Sequence, residues 1–376
     1  MKHLVRNLSV LGCVGSSAIA APFLAIGDNA ELFVTADTSV AYNDNILLGA
    51  PGTEREDTIL TFIPGFDLQF GKDSQLKGSV IGTATLTSYS DNDSFNNQLL
   101  GIGSKVAYQS GGVSLGANLS FNELDQPTVD VVPAGKLVER HVTNAGVNGE
   151  IELSEKISLG SGFTYAKTDY VTPGYTDSEE YSVPINAYYE LTPKVDVSAG
   201  VRYTNTQLDV AGANEFENFY YNVGARGAFT PKLSGAFSVG YNVRTANTGP
   251  DDGGSLGADA SLAYAYTEKT QFTLAFSRNY SNSSSGGASY ENSQITLGAS
   301  SAIRADWLLN AAVSYRQLDY QVGGQTDDYI EGTLGATYVI NSYLRTSLSY
   351  LYRDQSSDIG SEFTNNIVTL SISARY

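Results

Sequence analysis

Alternation with a period of two residues runs along almost the whole chain. In "VSLGANLSF", Val113, Leu115, Ala117, Leu119 and Phe121 point one way, and Ser114, Gly116, Asn118 and Ser120 point the other. That spacing makes a strand with one apolar and one polar face; a helix would need spacings of three and four. No segment after the first residues approaches the ~20 continuous apolar residues of a membrane helix. The pattern persists to the end. In "NNIVTLSISARY", Val368, Leu370, Ile372, Ala374 and Tyr376 alternate with Thr369, Ser371, Ser373 and Arg375. Chain ends usually fray and turn polar; this one ends on a ring.

The punctuation between strands also repeats. "LSEK" begins at Leu153, "LTPK" at Leu191, "FTPK" at Phe229 and "YTEK" at Tyr266, in steps of 38, 38 and 37 residues. Each reads as a tight turn, with Pro193 and Pro231 where a turn favours a fixed φ. Similar joints lie at Gly71–Ser74, Ser110–Gly112, Ala302–Arg304 and Asn341–Tyr343, giving eight short turns. Nine longer polar segments alternate with them, near 43–57, 91–97, 123–139, 168–179, 206–216, 245–254, 281–289, 321–328 and 355–363. These connections predict eighteen strands, or sixteen if boundaries slip. Alternating short and long connections mark an up-and-down antiparallel barrel with short periplasmic turns and longer external loops.

The soluble alternatives fit less well. A β-sandwich buries its apolar face, and a β-solenoid repeats at ~20–30 residues with aligned motifs. Here the unit is a hairpin of 37 or 38 residues, long enough for two strands of the ~9–11 residues that cross a bilayer. Charged residues are only 16% of the chain, against about 25% in ordinary soluble proteins. In lipid every backbone N–H and C=O needs a partner, so spanning strands must close into a barrel.

The first residues read as a leader. Lys2 and Arg6 precede the apolar "LSVLGCVGSSAIAA", with a small-residue site at Ala18–Ala20. This predicts a cleaved signal peptide over 1–21 and a single barrel domain over 22–376. Cys13 lies inside the leader, so the mature chain has no thiol chemistry. Losing Lys2 and Arg6 lowers the 22 basic residues to 20, against 40 acidic ones. Such a surface repels nucleic acid.

Aromatic residues on the apolar parity form two belts. Near the short turns lie Phe70, Tyr108, Tyr189, Phe229, Tyr266, Trp307, Tyr338 and Tyr376. Near the long loops lie Tyr42, Phe121, Tyr181, Tyr203, Tyr241, Tyr280 and Tyr352. Rings settle at the headgroup level, which explains the final Tyr376. Arg278 shares the apolar parity; it is expected to sit high on its strand and snorkel, or to turn inward at a bulge.

The polar parity is expected to line a lumen. Its basic candidates are Lys77, Lys105, Arg202, Arg226, Arg316, Arg345 and Arg353; its acidic candidates are Asp37, Asp67, Glu190, Asp196, Asp259 and Glu331. An interior of this strand number is too wide to fill with side chains, so these charges read as a pore wall. A set of structural ion pairs in a plugged barrel is the rival reading. The third long loop carries Val129, Val131, Val132 and Leu137, which suggests that it folds into the mouth.

Catalytic and metal signals are weak. "GVSLG" at Gly112 matches a nucleophile pattern, but that motif needs a strand–turn–helix elbow, and here it opens an alternating strand. His141 is the one histidine after the leader. "DNDSFNN" at Asp91 lacks the turn glycine and closing glutamate of a calcium loop. "GGSLGAD" at Gly253 misses the calcium-binding nonapeptide spacing by one position. No cofactor motif is present, and no enzyme activity is expected.

One stretch is more specific. In "SVAYNDNILLG", Tyr42, Asp44, Asn45 and Ile46 follow the first strand, and "DTILTFIPGFDLQFGK" carries Pro64–Gly65 inside the second. Residues 31–72 resemble the outer-membrane β-barrel porin family known as β-barrel porin 2. The resemblance implies a pore in a Gram-negative outer membrane, with some members associated with exopolysaccharide export. The terminal strand ending at Tyr376 resembles the signal by which the barrel-assembly machinery recognises its clients. The expected function is passive diffusion of small hydrophilic solutes or ions, with outer-membrane lipid as surroundings. Exopolysaccharide export and a non-conducting structural or adhesive barrel remain the alternatives.

Overall fold

A computed structural model describes residues 22–27, 29–127, 136–211, 214–247, 253–321, 323–360 and 362–376. The expected leader and Val129, Val131 and Val132 lie outside the described residues. Nineteen strands follow one another: β1 Leu24–Ile26, β2 Ala30–Asn43, β3 Asp57–Phe70, β4 Leu76–Tyr89, β5 Asn97–Ser110, β6 Val113–Asp125, β7 Glu139–Glu152, β8 Ile157–Tyr170, β9 Ser178–Thr192, β10 Val195–Leu208, β11 Glu215–Ala228, β12 Leu233–Ala246, β13 Gly253–Ala265, β14 Thr270–Asn282, β15 Ser289–Ala302, β16 Trp307–Tyr320, β17 Thr326–Val339, β18 Leu344–Ser357 and β19 Phe363–Arg375.

Strands β2 to β19 each pair antiparallel with their sequence neighbours, and β19 pairs with β2. The wall is therefore a closed barrel of eighteen strands. The short β1 lies on the lower edge of β2, beyond the reach of β19, through Leu24↔Leu32. The backbone of Tyr376 exchanges two hydrogen bonds with Val34 (2.7 and 3.0 Å), which completes the ring at the short-turn end.

The eight expected short turns and nine long connections are all present. The strands run 13–15 residues, more than the ~9–11 that cross a bilayer. The surplus forms a collar beyond the lipid. Two interruptions have one cause. Pro64 breaks the β3–β4 ladder and Pro184 the β8–β9 ladder, because proline has no N–H to give.

Candidate pore and its outer mouth

Side chains on alternate positions face opposite media. Large apolar groups on one parity stand exposed on the outside, among them Val40, Leu60, Leu100, Leu115, Val147, Leu297, Leu334 and Leu370. Such a surface is stable only against hydrocarbon. At its lower edge Tyr189, Tyr266, Trp307 and Tyr376 are exposed. Trp307 packs on Tyr338 (5.1 Å between ring centres), Phe229 on Phe237 (5.7 Å), and Tyr376 on Tyr343 (5.4 Å). Phe70 stands on the outward parity with Phe66, and Tyr108 opposite outward Leu76. Arg278 keeps the outward parity near the top of β14 and pairs with the buried Glu291 on β15.

The thirteen charges expected on the pore wall all occupy inward positions. Those with partners form separate clusters. Arg226 bonds Glu150 through both terminal nitrogens (2.8 and 2.7 Å), bonds Asp196 through Nε (3.1 Å), and lies over the Tyr188 ring at 3.5 Å. Arg202 reaches Asn279 (2.8 Å) and Asp259 (3.4 Å) above the Tyr220 ring. Arg353 faces Glu331 at 3.6 Å, and Arg316 donates to Asn292 at 2.9 Å. Asp67 accepts from Arg375 at 2.8 Å, with the guanidinium over Phe33. Lys77, Lys105, Arg345 and Asp37 line an open vestibule of 2170 Å³ at the short-turn end. Glu190 lies opposite Asp196 in the β9–β10 ladder.

Glu150 and Arg375 are inward charges that the sequence reading does not single out, although the alternation places both on the polar parity. What the alternation cannot show is that Glu150 meets Arg226, 76 positions away.

The outer half is different. Of the buried apolar side chains among the described residues, Phe33 alone lies in the short-turn half; Ile46, Leu47, Leu48, Val138, Leu208, Phe216, Tyr220, Tyr290, Leu318 and Phe363 lie towards the long loops. Loops also meet above the lumen. The Thr176 N–H between β8 and β9 donates to the Ser284 carbonyl between β14 and β15 at 2.8 Å. Gly287 lies against Leu208 at the end of β10 and Val210 of the β10–β11 connection, close enough that a Cβ there would come within 2.9 Å of Leu208. Lys136 lies over the Tyr175 ring at 5.1 Å, and burial holds that phenol's pKa above its ordinary value. Strands spaced 4.8 Å apart and tilted by 40° place the β8–β9 and β14–β15 tips about 30 Å apart across a round eighteen-strand ring. Their contact therefore narrows the mouth. The third long loop contributes the fully buried Val138, but the contacts across the mouth come from loops that the sequence reading leaves as solvated tips.

The weak chemical signals have structural explanations. Ser114 points into the vestibule from β6, while His141 stands on the outward face beside Phe121 (5.7 Å), so the two cannot form a dyad. The "DNDSFNN" segment is organised by Asp57, whose carboxylate accepts from the backbone of Ser90, Asp91 and Asn92. The "GGSLGAD" segment is part of β13.

Residues 215–376 match the family model described as "Putative beta-barrel porin 2", and residues 135–230 match "Putative outer membrane beta-barrel porin, MtrB/PioB". The first match lies in the C-terminal part of the barrel, away from the hairpin at 31–72. A comparison with curated proteins finds no match. Among solved structures, OpdK from Pseudomonas aeruginosa is 10% identical over 92% of this chain and 99% of its own, with a TM-score of 0.47. OccK9 (OpdG) from Pseudomonas aeruginosa is 12% identical over 92% and 98%, with a TM-score of 0.48. OccAB4 from Acinetobacter baumannii is 10% identical over 93% and 98%, with a TM-score of 0.46. A closed eighteen-strand wall, apolar outside and charged within, together with these family matches, makes the chain a porin-like β-barrel of the outer membrane, similar to the β-barrel porin 2 family.

Proposed function

We propose that the barrel is a passive diffusion pore for small hydrophilic solutes or ions, narrowed at its outer mouth. The observation that carries this reading is the vestibule of 2170 Å³ whose wall bears Lys77, Lys105, Arg345 and Asp37. A core filled for stability alone would hold apolar side chains at that depth. Paired charges such as Arg226 with Glu150 and Asp196 are mostly buried against Tyr188 and fix ring and guanidinium positions along the solute path. The excess of acidic residues in the external loops gives a mild preference for cations. Tyr376, seated at the inner interface, is the residue we assign to recognition by the barrel-assembly machinery.

Planar-bilayer recording tests the reading. Steady, voltage-tolerant conductance with a reversal potential displaced towards cations in a salt gradient is the expected result. A properly folded barrel that carries no current would overturn it and favour a structural barrel.

A further inference from the structure

The wall is not evenly paired all round. β13 and β14 share only eight paired positions, from Ala258↔Arg278 down to Ala265↔Gln271. Above them, Gly253–Gly257 still pair with β12, and Asn279–Asn282 still pair with β15. The two strands fork apart on the long-loop side. The fork begins at the outer aromatic belt: Leu256 lies opposite Tyr241, and Tyr280 is two residues above the last pair.

Three features make the fork a site and not merely a fray. First, Arg244 of β12 reaches past β13 to β14. Its Nη2 donates to Asn282 Oδ1, and its guanidinium lies over Phe216 at 4.6 Å and Tyr280 at 5.4 Å. Second, Asn242 is fully buried beside the fork, and its Nδ2 has no hydrogen-bond acceptor among the described residues; Ser255 Oγ has none either. A buried donor left in this state costs ~1–3 kcal/mol. Third, the outward lip is apolar, with Leu256 69% exposed near Tyr241. At Gly257 the wall is closely packed, since a Cβ there would lie 2.4 Å from Asn242 Nδ2 and 2.7 Å from the Tyr220 ring. Overhead, the Thr176–Ser284 contact roofs the same sector of the mouth.

We propose that this fork is a lateral binding site for a single-chain amphiphile with an anionic head, an alkyl carboxylate being the simplest case. The head oxygens meet the Arg244 guanidinium and give Asn242 Nδ2 its missing acceptor. The tail leaves between Leu256 and Tyr280 into the outer leaflet. The site stands beside the axial pore and does not depend on it. An amphiphile held there has its charge on the lumen side and its chain in lipid, which a sealed wall would forbid.

The test uses the full barrel in mild detergent and a long-chain alkyl carboxylate carrying a photoreactive diazirine in its tail, with labelled positions mapped by mass spectrometry. Labelling of 253–257 and 278–282 should exceed that of other outward segments about tenfold, the ratio that one charge-assisted hydrogen bond supports. A trimethylammonium analogue should show no such enrichment. Arg244→Gln should reduce the enrichment to background. Should that variant fail to fold, Ser255→Cys with Ser281→Cys, in a Cys13→Ser background, continues the β13–β14 register upward; oxidation should close the fork and remove the enrichment while leaving ion conductance in place. Even labelling around the belt in the unaltered barrel would mean annular lipid only and overturn the proposal. So would enrichment that survives both Arg244→Gln and the closed disulfide. Neither result would touch the pore reading, which the conductance reports separately.

Discussion

Two places in the wall have the shortest ladders, and they are closed by different means. Where β19 meets β2, nine positions pair; where β13 meets β14, eight do. Both ladders stop on the long-loop side. At β19–β2 the two strand ends are sewn to each other by their own side chains. Asp44 accepts from the Asn366 backbone and carboxamide (both 2.7 Å), Asn365 Nδ2 donates to Asn43 Oδ1 (2.6 Å), and Asn45 Nδ2 donates to the Thr364 carbonyl (2.9 Å). Among the described residues no comparable side-chain stitch joins Gly253–Gly257 to Asn279–Asn282; at the base of the fork Asn279 Nδ2 donates to Asp259 Oδ1 (3.2 Å), and above it Arg244 reaches Asn282 from a strand further back. Barrel closure thus has a dedicated clasp, and the fork is spanned by one buried guanidinium.

Removing the clasp should have the largest effect. Asn45 is fully buried, and its carboxamide makes three hydrogen bonds, two with the Gly49 backbone and one with Thr364. Asn45→Ala leaves those backbone groups without partners, so a loss of about 2–4 kcal/mol is expected. Urea unfolding in detergent, followed through the single Trp307, measures it. Asp44→Ala should cost less, about 1–3 kcal/mol, because Asp44 and Asn366 are only half-buried and water can replace part of what is lost. If neither substitution lowers stability, the seam is held by its nine backbone pairs and the contrast with β13–β14 disappears.

This clasp shows how far the sequence could be read. The period-two alternation and the turn tetrapeptides place every barrel strand within a few residues, since both are local. Parity also puts the thirteen charged candidates for the pore wall on inward positions. It cannot tell Arg226, held by Asp196 on the neighbouring strand and by Glu150 four strands away, from Lys77, which faces the open vestibule. The Tyr42–Ile46 motif that carries the family resemblance is visible as a pattern. Its purpose is not, because its partners Asn365 and Asn366 lie more than 300 positions on. The roof over the mouth is invisible for the same reason: Thr176 and Ser284 are ordinary loop residues until the barrel brings their loops together.

Hydrogen exchange sharpens the comparison without any substitution. Amides at 254–257 and 279–282 should exchange at least about tenfold faster than those at 363–366, equivalent to an opening free energy lower by ~1.4 kcal/mol. Equal protection at the two seams would show that the fork is closed most of the time by contacts equivalent to a ladder.

The smallest effect is expected at a third short ladder, β5–β6, with ten pairs. There the upper strand ends are joined by carboxylates: Glu123 Oε2 accepts from the Leu100 N–H at 2.9 Å, and Asp125 Oδ2 accepts from Asn97 Nδ2 at 3.1 Å. The Leu100 N–H needs only an acceptor. A glutamine at 123 keeps one, and the site is exposed, so the charge itself adds little in a screened position. Glu123→Gln should therefore cost no more than about 0.5 kcal/mol, and Glu123→Ala about 1 kcal/mol, by the same unfolding measurement. The ordering separates two kinds of stitch. At β19–β2 the groups are buried and each lost partner leaves another unsatisfied, whereas at β5–β6 water stands ready to replace the acceptor. A cost for Glu123→Gln as large as that for Asn45→Ala would mean that charge at the rim, and not burial of the clasp, decides how these open strand ends are held.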